Sequence, residues 1–116
     1  MLKDKKYNCY FELTLDVVGG KWKPIILYYL GTSDFLRFSD LKRLIPSINE
    51  RMLTRQLREL ESENLIIRKS YNVVPPRVEY SLTDIGKELL PILEDLKNWG
   101  VKYNKKFEIA SFLLEE

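Results

Sequence analysis

The sequence predicts a mainly α-helical domain with one small β-hairpin, an α+β fold, and three observations carry that expectation. Apolar residues recur at helical spacing in most of the chain; Val78, Tyr80 and Leu82 alternate with Arg77, Glu79 and Ser81 in one strand-like segment; and Pro46-Ser47 separates two short helical segments by no more than a tight turn. The chain has 116 residues, of which 45% are apolar and 31% charged. That is the size and material of a single domain, 1–116, able to bury about two-thirds of its unfolded surface.

In order along the chain, Phe11, Leu13, Leu15, Val17 and Val18 predict a short helix stopped by Gly19-Gly20. Trp22 and the run Ile25, Ile26, Leu27, Leu30 predict a second helix, apolar all round and therefore central, with Pro24 tolerated in its first turn. Gly31 to Asp34 break the chain. A short strand is expected at Phe35-Leu36-Arg37-Phe38, and Leu41, Leu44 and Ile45 then mark a short third helix.

Pro46 ends that helix, and Ser47-Ile48-Asn49-Glu50 has the form of a capping box that opens the next. In the Ser47 to Glu63 segment, Leu53, Leu57 and Leu60 share one face, while Arg51, Arg55 and Arg58 repeat the spacing on the other. Leu65 to Lys69 and Arg77 to Leu82 predict the two strands of a hairpin, with Tyr71 to Pro76 at its tip. Thr83-Asp84 opens the last helix, which carries Ile85, Leu89, Ile92, Leu96, Trp99 and Tyr103 at alternating steps of four and three. Such a helix overruns a small domain, so part of its stripe is expected to face a partner chain.

Composition removes several functions. With no His and one Cys, the chain lacks the ligands of a zinc site and the imidazole of a Ser-His-Asp triad, and one Cys forms no internal disulfide. No spaced catalytic constellation or phosphate-cradling glycine loop is present, so neither an enzyme nor a cofactor is expected. The N-terminal residues lack a secretory apolar stretch, and the Ile25–Leu30 run is far shorter than the ~18 residues that cross a bilayer. A cytoplasmic location without membrane contact is the expectation.

Charge is distributed unevenly. Residues 1–36 hold 5 basic and 4 acidic side chains (+1), residues 37–77 hold 9 and 5 (+4), and residues 78–116 hold 5 and 8 (−3). The basic middle coincides with the capped helix and hairpin, the arrangement in which a helix-turn-helix offers its second helix to a major groove and a wing reaches the backbone. Taken alone, the arginine stripe is more simply a solvated face paired with Glu50, Glu59 and Glu61, and the hairpin is equally a plain surface feature. A protein-interaction module without DNA contact is the competing class, and a small apolar effector between aromatic side chains is left open.

Cys9, Leu13 to Asp16, Gly19-Gly20-Lys21-Trp22-Lys23, Arg37-Phe38, Ile45-Pro46, Arg51 to Thr54, Gln56 to Glu61 and Pro75 to Thr83 together resemble the HxlR-type winged helix-turn-helix transcriptional regulators of bacteria and archaea. The resemblance runs from Cys9 to Trp99-Gly100, with Tyr10-Phe11 standing where many members have proline after the cysteine and Ser47 where glycine is common. It implies a homodimer joined by the N- and C-terminal helices, through Phe11, Leu15, Leu89, Ile92, Leu96, Trp99 and Tyr103 in this chain. It also implies a double-stranded DNA operator and, more often than activation, repression. Several members respond to oxidants or electrophiles through the N-terminal cysteine, which makes Cys9 a candidate sensor. The candidate DNA contacts are Arg51, Thr54, Arg55 and Arg58 on the recognition helix, Ser47 and Asn49 at its start, Lys42 and Arg43 on the preceding helix, and Lys69, Tyr71 and Arg77 on the wing.

Overall fold

Along residues 2–109, which the structure, a computed structural model, describes, a 3-10 turn at Leu2–Asp4 leads into α1 (Tyr10–Val18), α2 (Trp22–Leu30), α3 (Phe38–Leu44) and α4 (Glu50–Ser62). The hairpin β1 (Ile66–Tyr71) and β2 (Arg77–Leu82) follows, then α5 (Asp84–Lys87) and α6 (Leu90–Phe107). Of the domain assigned from sequence to 1–116, Met1 and residues 110–116 lie outside the described residues.

The apolar α2 is central, as its composition predicts. Ile26, Leu27 and Leu30 are buried with Leu41 of α3, Ile48, and Leu53, Leu57 and Leu60 of α4. Gly20, with φ of +83°, turns the chain from α1 into α2 through a conformation that side chains with a Cβ rarely adopt. The helix α1 has no buried residue of its own. Half-buried Val17 and Val18 at its end pack on the core, and the N-terminal arm folds back on it: the Tyr7 hydroxyl donates to Asp16 Oδ2 at 2.6 Å and the Lys5 ammonium at 3.0 Å.

Four expectations are corrected. The strand at Phe35–Phe38 reduces to one bridge, Leu36 with Tyr80, because the Arg37 N–H donates to Asp40 Oδ2 (2.9 Å) and starts α3 at Phe38. The cap of α4 is Asn49, not Ser47: Asn49 Oδ1 accepts from the Met52 N–H at 2.7 Å, and Ser47 lies exposed in the turn ahead of it. Ile48 decides this, since it and Leu53 bracket the first turn as buried neighbours, a hydrophobic staple that places the cap between them.

The hairpin pairs Ile66 with Leu82 and Tyr71 with Arg77 in antiparallel register. Its β2 strand does not keep the expected polar row in solvent, because Glu79 is buried where it meets Tyr71 and Arg77. The terminal helix is two helices. Pro91 has no N–H to give the preceding turn and its ring clashes there, so α5 ends at Lys87 and α6 restarts with the proline in its first turn. Thr83 caps α5 by accepting from the Gly86 N–H (3.1 Å) and fastens it to the end of α4 by donating to the Asn64 carbonyl (2.7 Å). Leu89, between the two helices, is half-buried on the core, and Ile85 sits exposed on α5, so the continuous stripe begins at Ile92.

Candidate nucleic-acid interface

The opposition of faces on α4 is the central feature of the site. Leu53, Leu57 and Leu60 are almost completely buried, while Arg51, Arg55 and Arg58 are exposed. Together with half-buried Thr54 and with Glu59, the three arginines line one shallow surface depression. Three guanidinium forks on two turns of helix offer paired N–H donors at a spacing that suits phosphates and guanine edges.

Of the acidic residues expected to pair with this face, only Glu59 does so among the described residues, with Arg55 Nε at 3.5 Å from its Oε2. Its other oxygen faces inward, where Lys23 Nζ of α2 sits 3.0 Å from Oε1 and 4.0 Å from Glu63 Oε1. The Lys23 ammonium, and secondarily Arg55, holds the Glu59 carboxyl below the usual glutamate range. Lys23 is only 8% exposed. No motif in the sequence assigns it a role; its signal is the pair Glu59 and Glu63, one turn apart on the edge of α4 that meets α2.

Around the helix, Lys42 Nζ donates to the Pro46 carbonyl (3.2 Å), bracing the turn, and Arg43 pairs with Asp40 at 3.0 Å. Hydrogen bonding from the Arg37 N–H, and then from Arg43, keeps the Asp40 carboxyl below its ordinary value. On the wing, the Tyr71 ring lies between cations, with the Arg77 guanidinium 4.4 Å and the Lys69 ammonium 5.0 Å from its centroid. The Tyr71 hydroxyl donates to Glu79 Oε1 at 3.0 Å, and Arg77 Nε lies 3.5 Å from Glu79 Oε2. Tyr71 and Arg77 are thus half-buried braces of the wing, while Lys69 and the unpredicted Arg68 are exposed.

A second surface is apolar. Phe11 and Leu15 of α1 and Ile92, Leu96, Trp99, Tyr103 and Phe107 of α6 are all exposed, Trp99 by 62%. Trp99 stacks on Tyr103 (5.1 Å between centroids), and Tyr103 meets Phe107 at a tilt (4.8 Å). Cys9 is exposed at the start of α1. Lys5, near it in the sequence, is engaged with Asp16.

Helix-turn-helix, hairpin and terminal helix occur here in the order of a winged regulator, and the family model of HxlR-like helix-turn-helix proteins matches residues 17–108. The chain belongs to that family. YkvN of Bacillus subtilis (strain 168), an uncharacterized HTH-type transcriptional regulator, is 52% identical over 99 residues, 85% of this chain and 83% of its own. The redox regulator HypR is similar in structure. Its oxidized form matches with a TM-score of 0.77 and 50% identity over 81% of this chain and 96% of its own, and its reduced form with 0.80 and 47% over 86% and 98%. These HxlR-like proteins are transcriptional regulators, not enzymes, and the chain is a DNA-binding regulator of the helix-turn-helix class. No helix among the described residues is long and apolar enough to cross a membrane.

Proposed function

We propose that the protein is a cytoplasmic, homodimeric repressor that reads a pseudo-palindromic duplex operator. Each protomer lays α4 in a major groove, and the two grooves lie about 34 Å apart or a multiple of it. The observation that carries this reading is the exposed arginine face, Arg51, Arg55 and Arg58 with Thr54, on a helix whose opposite face is locked into the core.

In this docking Arg55 and its neighbours on α4 meet base edges and adjacent phosphates. Lys42, Arg43, Ser47 and Asn49 hold the backbone beside the helix, and Lys69, Tyr71 and Arg77 hold it at the wing. Asn49 acts through its cap, which fixes the pose of the first turn and leaves the N–H groups of Glu50 and Arg51 for a phosphate. The dimer is formed through the exposed apolar residues of α1 and α6, a larger uncovered stripe than a monomer usually keeps. Bound across a promoter, such a dimer excludes polymerase.

Selection of bound sequences from random duplex DNA tests the reading: a palindromic consensus is expected, and recovery of no preferred sequence overturns it. A redox response through Cys9 is a second reading, favoured by the exposure of its thiol and by the likeness to HypR. Repeating the selection after mild oxidation, with Cys9→Ser alongside, is expected to abolish the consensus in the native protein only.

A further inference from the structure

The Gly-Gly-Lys-Trp-Lys string ends in a lysine that DNA cannot touch, since Lys23 lies beneath α4 with its side chain 10% exposed. What it touches is the carboxylate that also touches Arg55. One Glu59 oxygen takes the ammonium at 3.0 Å, and the other takes the Arg55 guanidinium at 3.5 Å, with the Arg55 side chain 70% exposed. The two pairings differ in strength for a physical reason. The inner pair is shorter and its ammonium is shielded from solvent, so its attraction is screened less; the outer one is long, open to water and salt, and of the kind worth a few tenths of a kcal/mol. Glu59 and Glu63 also sit at the C-terminal end of α4, where the helix dipole disfavours carboxylates. A cation beneath them is what makes that placement tolerable.

From this we infer that Lys23 is a positioning residue for DNA recognition: by neutralising Glu59 from below, it leaves Arg55 free to exchange its intrahelical partner for DNA. Without Lys23, the Glu59 charge has Arg55 as its one remaining cationic partner among the described residues. It then competes with DNA for that fork and also repels the nearest phosphates. The inference rests on the proposed DNA docking and adds to it a residue that makes no DNA contact.

The test uses the full-length protein and a duplex carrying its selected operator. Lys23→Met combined with Glu63→Gln removes the ammonium and the second carboxylate it serves, so net charge is unchanged and no orphaned carboxylate remains at Glu63. Affinity near physiological salt is expected to fall about fivefold and the log–log salt slope to shrink by about one, as when a single phosphate is no longer neutralised. Preference is expected to relax at the same base pair that Arg55→Ala relaxes. Adding Glu59→Gln to that variant restores affinity, slope and preference, and Lys23→Arg keeps all three.

Native-like binding by Lys23→Met/Glu63→Gln overturns the inference, as does a fall in affinity that Glu59→Gln does not restore. If that variant does not fold, Glu59→Gln alone decides. With Lys23 already screening the carboxylate, it is expected to shift affinity by less than about twofold, and a gain near fivefold overturns the inference. Failure of the underlying reading looks different, because the native protein then shows no preference among duplexes at all.

Discussion

The helices α4 and α6 carry the same kind of apolar periodicity for different reasons. On α4 the leucine seam is used up inside the chain, with Leu53, Leu57 and Leu60 buried against α2 and its neighbours. On α6 only Leu93 is buried, and Ile92, Leu96, Trp99, Tyr103 and Phe107 face outward. Periodicity says that a helix has an apolar face; it does not say what covers that face. The difference gives the two helices separable roles, and mutations should separate them.

The largest effect is expected in the α4 seam. Leu57→Ala removes a side chain with no room to be replaced by water and should cost about 2 to 5 kcal/mol of folding stability, read by denaturant unfolding. The same truncation at Leu96, which is 61% exposed, should cost the isolated protomer little. Equal losses at the two positions at concentrations where no dimer forms would erase the distinction.

On α6, Leu96→Asp places a charge within the stripe and should weaken self-association by about thirtyfold or more, the scale of an interface hot spot, as read by sedimentation. Protomer helicity should persist. Unchanged association would mean that the stripe is not the dimer contact. Next in size, Arg55→Ala should cost about 1 to 3 kcal/mol of operator binding with relaxed preference at one position, whereas Arg77→Ala should weaken binding to all duplexes and flatten the salt dependence. Loss of stability in place of loss of binding for Arg77→Ala would mark it as a brace of the wing alone, through its contacts with Tyr71 and Glu79.

Those contrasts also mark what the sequence can and cannot disclose. The two faces of α4 were legible because both lie within one helix, where spacing alone sorts leucine from arginine. The hairpin was legible from alternation and its proline tip. The start of α4 was misplaced because the staple between Ile48 and Leu53 outweighs a well-formed Ser-x-x-Glu string, and a local motif does not register what the core requires of Ile48. The burial of Glu79 depends on a diagonal hydrogen bond from Tyr71 across the hairpin, beside its register partner Lys69, and Leu89 turned inward because Pro91 interrupts the helix. The Lys23 contact was invisible for a related reason: it joins α2 to α4 across the fold, and no periodicity within either helix reports the other.

The smallest expected effect concerns α1, which packs on the core through half-buried Val17 and Val18 and to which the N-terminal arm adds polar contacts. The Tyr7 hydroxyl, by hydrogen bonding, and then Lys5 hold the Asp16 carboxyl below its ordinary value of 3.8, while Asp16 pushes the Tyr7 phenol up to about 12 from 10.0. The signs follow from linkage. Asp16 binds its proton less readily when folded, so its contribution is present above the ordinary value and is lost as pH falls through the lowered one. Tyr7 holds its proton more tightly when folded, so its contribution is present below pH 10.0 and is lost as pH rises through about 12. Tyr7→Phe removes the Tyr7 contribution and the larger part of the Asp16 one, Lys5 keeping the rest, so it should lower thermal stability slightly across the neutral region and converge with the native protein at each extreme of pH. Ultraviolet titration should lose the phenol that titrates near 12. If that phenol persists in Tyr7→Phe, it does not belong to Tyr7, and the pairing of Tyr7 with Asp16 is overturned.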